Sequence, residues 1–196
     1  SITWALGFAV GNQAYAIYIV ASQIAVFGLH YSVLRHAALY DRDTEERGRL
    51  LVNASTWSLT LGIVAAAVVF AASPLFGLIL DSDSVAAATA NAAPGLMLFP
   101  LNKVLLGYLN GLRHMKAFSL LQSMRYILVM LWVTAVSASS SAFELCTLGF
   151  LIAEAATALG VSLYLKSHGM FPALRFDAGW TGRAGSSFLP RWSKTF

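Results

Sequence analysis

The chain has 196 residues, of which 58% are hydrophobic and 11% charged, with a formal net charge of +4. Soluble proteins carry about 25% charged residues, and a domain of about 150 residues still leaves about a third of its surface wet, so no soluble fold of this size hides that much apolar side chain. A mean hydropathy of +0.67 agrees, and the basic residues, split up by long apolar stretches, do not form the stripe that nucleic acid requires.

A helix needs about 20 apolar residues to cross about 30 Å of hydrocarbon. Residues 2–10 are apolar but too short to cross, and read as the end of a preceding helix. The sequence starts at Ser1 rather than Met, and no short apolar segment with a cleavage site follows, so we expect no signal peptide and a chain that begins inside a longer protein. The first span then runs from about Gln13 to Leu34. The second runs from about Leu50 to Leu80, with Pro74 kinking or ending it. The third covers about Asn91–Leu112, the fourth Phe118–Val136 and the fifth Ala142–Leu165. These runs are continuous rather than alternating, which argues against barrel strands. The fold class expected is all-α integral membrane, with about five transmembrane helices over residues 1–170 and an irregular basic tail over 171–196.

The connections give a second reading of the same layout. Arg35, Arg42, Arg47 and Arg49 lie in the first, none in Asp81–Ser84, Arg113 and Lys116 in the third, and none in Ser137–Ala142. Lys166, Arg175, Arg183, Arg191 and Lys194 follow the last span. Lys and Arg in short loops stay in the cytoplasm, so the odd connections and the tail are expected there and the even ones outside. The chain is therefore expected to be multi-pass in the plasma (inner) membrane. Glu45 and Arg49 stand i,i+4, and Asp43 or Thr44 suits a helix cap. Tyr15, Tyr18 and Trp132 read as an outer aromatic belt and Trp57 as an inner one, with Asn12 and Gln13 interfacial. Gly107 and Gly111 form a GxxxG, as do Gly7 and Gly11, a packing signal of low specificity.

Three charges fall in mid-span. Lys103 lies eleven residues before His114 and Arg125 eleven after it, so an antiparallel hairpin brings both to one depth. A cation at mid-helix costs about 2.5–3.5 kcal/mol on insertion scales, and two of them repel. Glu154 is the only acid at similar depth. Three readings remain open: a structural ion pair of Glu154 with Lys103 or Arg125, snorkelling of one cation, or a polar cavity of net positive charge lined by the third, fourth and fifth spans. Lys103, Gly107 and Asn110 share one helix face, and Gln122 and Arg125 share another. Asn102 is adjacent, and Pro100 is expected to break the third span just before it, the kind of interruption where transporters bind substrate. His30 and His36 have no assigned role. The single cysteine, Cys146, forms no internal disulfide and no zinc pattern. No serine shares a helix face with a histidine and an acid, and no GxxxxGKS loop is present, so neither enzyme activity nor a cofactor is expected.

The segments FGLHYSVLRHAALYDRDTEERGRLL (Phe27–Leu51) and PLNKVLLGYLNGLRHMKAFSLLQSMRY (Pro100–Tyr126) resemble the polysaccharide biosynthesis proteins. These are lipid-linked oligosaccharide (O-antigen type) flippases of the MOP exporter superfamily, which also holds the MATE drug exporters. The resemblance covers about residues 1–170 and implies helices two to six of a first helical bundle, preceded by a stub of helix one. The second bundle of the family is missing from this sequence, which implies a fragment or a pairing of two copies. It further implies transport of a polyprenyl-pyrophosphate-linked glycan to the outer leaflet for O-antigen, capsule or exopolysaccharide export. In that reading Lys103 and Arg125 bind the pyrophosphate, and Asn102, Asn110 and Gln122 meet sugar hydroxyls. Glu154 tunes the cations or takes part in ion coupling. The implied partners are the lipid bilayer, the lipid-linked oligosaccharide and glycan-assembly proteins. Rival readings are a MATE-like cation antiporter, whose pocket should be acidic and aromatic, and a non-transport scaffold of a glycan-assembly complex.

Overall fold

The computed structural model describes residues 2–39, 44–139 and 143–170. Without water in the hydrocarbon layer, each apolar segment must satisfy its backbone internally, and the described residues do so as helices. In chain order these are α1 (Ile2–Val26), α2 (Leu29–Leu39), α3 (Thr44–Ile79), α4 (Asp83–Gly111), α5 (Met115–Ser139), a 3-10 turn at Phe143–Thr147 and α6 (Leu148–Ser167). Four helices are long and apolar enough to cross a membrane, and a fifth span exists if Ala9–Val26 and Leu29–Leu39, bent by 46°, count as one. The fold is all-α, as the composition required. The basic tail over 171–196, Arg42, the Asp43 cap and the loop residues 140–142 lie outside the described residues, as does the side chain of Thr44.

Three boundary expectations change. Residues 2–10 are not the end of a separate helix; they are the first turns of α1, because nothing between Val10 and Gln13 breaks helical hydrogen bonding. The first span is interrupted instead at Phe27 (φ 44°) and Gly28 (φ 76°), where the Gly28 carbonyl accepts from the Tyr31 amide at 3.1 Å and restarts the chain as α2. Gly28 takes this left-handed backbone without steric cost, whereas Phe27 does not. Pro74 and Pro100 interrupt nothing: each sits inside an unbroken helix, having removed one backbone donor without displacing the turns around it.

α4 is the axis of the bundle and packs against every other helix. One apolar cluster joins Val33 and Ala37 of α2, Leu50 and Leu51 of α3, Val104–Leu109 of α4, Leu121 of α5, and Val161 and Leu165 of α6. A second joins Tyr18 and Val26 of α1, Val69 of α3, and Ala92, Ala93, Leu96 and Phe99 of α4. Two glycines set the α2–α4 spacing. A Cβ at Gly107 would stand 2.8 Å from the His30 carbonyl oxygen, and one at Gly111 2.8 Å from the Ala37 Cβ. The backbones approach this closely only because both side chains are absent. At the opposite end the 3-10 turn is fastened from both sides. Thr147 Oγ1 donates to the Ala88 carbonyl at 2.9 Å, and Trp132 Nε1 donates to the Leu145 carbonyl at 2.9 Å.

Candidate functional site

The mid-span charges meet. Arg125 Nη1 on α5 lies 3.2 Å from Glu154 Oε1 on α6, and both residues are buried, with 8% and 3% of their surfaces exposed. Glu154, the acid expected at similar depth, therefore meets Arg125, and of the two pairings left open the Arg125–Glu154 pair is the one that forms. Asn102 on α4 holds the carboxylate from the other side: its Nδ2 donates to Glu154 Oε2 at 2.6 Å and to the Glu154 carbonyl at 2.8 Å. The Tyr18 hydroxyl on α1 donates to Oε1 at 3.4 Å. Three helices thus converge on the carboxylate of α6, each contributing a group that offsets its desolvation.

Rings line the cations. The Arg125 guanidinium carbon lies 5.1 Å from the Phe99 ring centroid and 5.0 Å from that of Tyr126, and Lys103 Nζ is 5.5 Å from the same Phe99 ring. Lys103 and Arg125 therefore share one depth, as the eleven-residue spacing about His114 predicts. Tyr18 stacks on Phe150 at 4.6 Å and meets Phe99 edge-on at 5.9 Å, while Tyr15 reaches Phe150 at 5.7 Å. Such contacts favour a cation above a ring face by about 0.5–2 kcal/mol, more when water is excluded.

A cavity of about 500 Å³ opens beside the ion pair. Arg125 and Glu154 form its floor, Tyr15, Tyr18 and Ile19 of α1 one wall, and Tyr126, Met130 and Val133 of α5 the other. It extends past Phe150 to Asn12, Ser137, Cys146 and Thr147 at the end of the bundle that carries Asp81 and Asp83. Its size is that of a small-molecule site, and apolar walls around a few convergent polar groups are the usual make-up of one.

This differs from the expected cavity in its walls. The third, fourth and fifth spans were expected to line it, but α4 contributes Phe99 and the missing wall is α1. Gly107, on the helix face it shares with Lys103 and Asn110, packs against the α2 backbone, while the Lys103 ammonium stands over the Phe99 ring. Lys103, Asn102, Asn110 and Gln122 do not line the cavity, and Asn102 acts on Glu154 rather than on an open space. Tyr18 is not an interfacial belt residue; it is 3% exposed and bonded to Glu154. Asn12 is cavity lining rather than a bystander at the interface. The missed wall left a trace in the sequence, since Asn12, Tyr15 and Ile19 follow i, i+3, i+7 spacing and share one face of α1.

No family model, no curated protein and no solved structure matches the chain.

Proposed function

We propose that the chain is a membrane transporter of the lipid-linked oligosaccharide flippase type, and that the Arg125–Glu154 pair is where it meets the anionic head of its substrate. One observation carries the reading: a mid-span guanidinium, held on the wall of an open cavity, belongs to a cluster of two cations and one carboxylate. Glycans and pyrophosphate cannot dissolve in hydrocarbon, whereas an isoprenoid tail can remain there. A cavity with a fixed cation lowers the barrier for the head group, and guanidinium suits phosphate because it donates two parallel hydrogen bonds. The resemblance of Phe27–Leu51 and Pro100–Tyr126 to the flippase segments points the same way. In this reading the protein sits in the cytoplasmic membrane with its basic end inside. A second helical bundle or a second copy would complete the path, and glycan-assembly proteins would supply the cargo.

The test is leaflet exchange of a polyprenyl-pyrophosphate oligosaccharide in vesicles containing the whole protein, read by access of a glycosidase added outside. Arg125→Gln keeps an amide donor on a shorter side chain but loses the charge, and is expected to slow exchange by on the order of tenfold or more while leaving the amount of inserted protein nearly unchanged. An exchange rate equal to wild type, or a loss that tracks protein abundance, would overturn the reading in favour of a structural lock.

The aromatic lining supports a second reading, a MATE-like exporter in which Glu154 attracts an organic cation beside Tyr15, Tyr18, Phe99, Tyr126 and Phe150. Vesicles that leave the glycan lipid in place but exchange tetraphenylphosphonium, with the activity lost in Glu154→Gln, would establish this second function and remove the first.

A further inference from the structure

The ion pair is unequal in how its members are held. Glu154 keeps its position without Arg125, since the Asn102 amide anchors Oε2 at 2.6 Å and the Tyr18 hydroxyl reaches Oε1 at 3.4 Å. Arg125 has fewer hydrogen bonds. Its Nη1 is 3.2 Å from Glu154 but makes no hydrogen bond there, and Nη2 reaches only the Tyr126 hydroxyl at 3.4 Å. Arg125 is nevertheless 8% exposed and lines the cavity, while its Nη1 is buried without a hydrogen-bond partner. Lys103 forms no ion pair among the described residues, yet its ammonium stands against the Phe99 ring that also carries Arg125. One carboxylate can balance only one of the two cations, so with all three groups charged the cluster carries one positive charge in excess.

We propose that Glu154 is a counter-ion shared by Lys103 and Arg125. With no head group bound, Glu154 pairs with Arg125. When a phosphate-bearing head group takes Arg125, Lys103 becomes the partner of Glu154, and no buried carboxylate is left without a counter-charge. Lys103 thus acts as a positioning residue that frees Arg125 and does not itself touch the ligand. This rests on the reading of an anionic head group, and replaces the sequence expectation that both cations bind it directly.

The experiment is a double-mutant cycle on the whole protein in nanodiscs, titrated with inorganic pyrophosphate by calorimetry. Wild type is expected to bind and Arg125→Gln to lose binding. Lys103→Met is expected to weaken binding by on the order of tenfold or more, because Glu154 then holds on to Arg125. Glu154→Gln keeps one oxygen to accept from Asn102 while its amide can donate to the Tyr18 hydroxyl, and is expected to bind at least as tightly as wild type. In that background Lys103→Met should change affinity by no more than about threefold, since no carboxylate remains to compensate. Equal effects of Lys103→Met in both backgrounds would overturn the shared counter-ion while leaving an anion site in place. Absence of pyrophosphate binding by wild type would overturn the anionic head group and this proposal together. Should Glu154→Gln not fold, Lys103→Met alone decides: an unchanged affinity overturns the proposal.

Discussion

A carboxylate in the middle of a membrane protein persists only where its lone pairs are met, and the donors around Glu154 are unequal. Asn102 is fully buried and donates at 2.6 Å, whereas the Tyr18 bond is 3.4 Å long. Short hydrogen bonds to a charged acceptor are the strong ones. Asn102→Ala removes the anchor and leaves Oε2 facing no donor, which is expected to destabilise the fold by about 1–3 kcal/mol. Tyr18→Phe keeps the ring that stacks on Phe150 and loses only the long bond, so about 0.5 kcal/mol or less is expected. Thermal unfolding in detergent ranks the two, and a larger loss for Tyr18→Phe would show that the carboxylate is held from α1 rather than from α4. Lys103 and Arg125 are legible at one depth because counting residues from the Arg113–Lys116 turn gives depth along a helix, with Glu154 as the only acid at similar depth. Counting gives depth alone; which way each side chain turns depends on the packing partner. Tyr18 was read as an interfacial ring for that reason, and Asn102 as a sugar contact.

At the scale of the helix, partners are chosen by how closely backbones can approach. The sequence holds two GxxxG pairs and offers no means of ranking them. In the structure Gly107 and Gly111 receive the backbone of α2, whereas a Cβ at Gly11 would meet nothing within 4 Å. Gly107→Val should therefore push α2 off α4 and cost about 1–3 kcal/mol, with Gly11→Ala close to neutral as its comparison. Equal stability of the two variants in the same unfolding assay would mean that α2 is not seated on that glycine. The break at Phe27–Gly28 was not legible in the sequence. A lone glycine in an apolar run is compatible with a straight helix, and only the docking of α2 on α4 beside α1 calls for a bend of 46° there.

Across the whole molecule, charge and cavity are polarised together. Among the described residues Arg35, Arg47, Arg113, Lys116 and Lys166 gather at the end formed by α2, the start of α3, the α4–α5 turn and the end of α6, and Asp81 and Asp83 lie at the other. Loops rich in Lys and Arg resist translocation, so the basic end is expected in the cytoplasm. The cavity runs from Arg125 and Glu154 towards the acidic end, where Asn12, Ser137 and Cys146 line it. An inside-facing basic end therefore puts the Asn12, Ser137 and Cys146 end of the cavity towards the exterior, with the ion pair on the cytoplasmic side of it. Cys146 is the chain's only cysteine and lies on that cavity wall, which turns the orientation into one measurement. A membrane-impermeant maleimide added to intact cells is expected to label Cys146. In a Cys146→Ser background, Lys116→Cys should stay unlabelled until the membrane is opened. Arg125→Gln should leave both results unchanged, because orientation is set by the loops rather than by the buried pair. Labelling of Lys116→Cys from outside would invert the molecule, make the cavity cytoplasmic, and turn the proposed site into one that receives its head group from the inner leaflet.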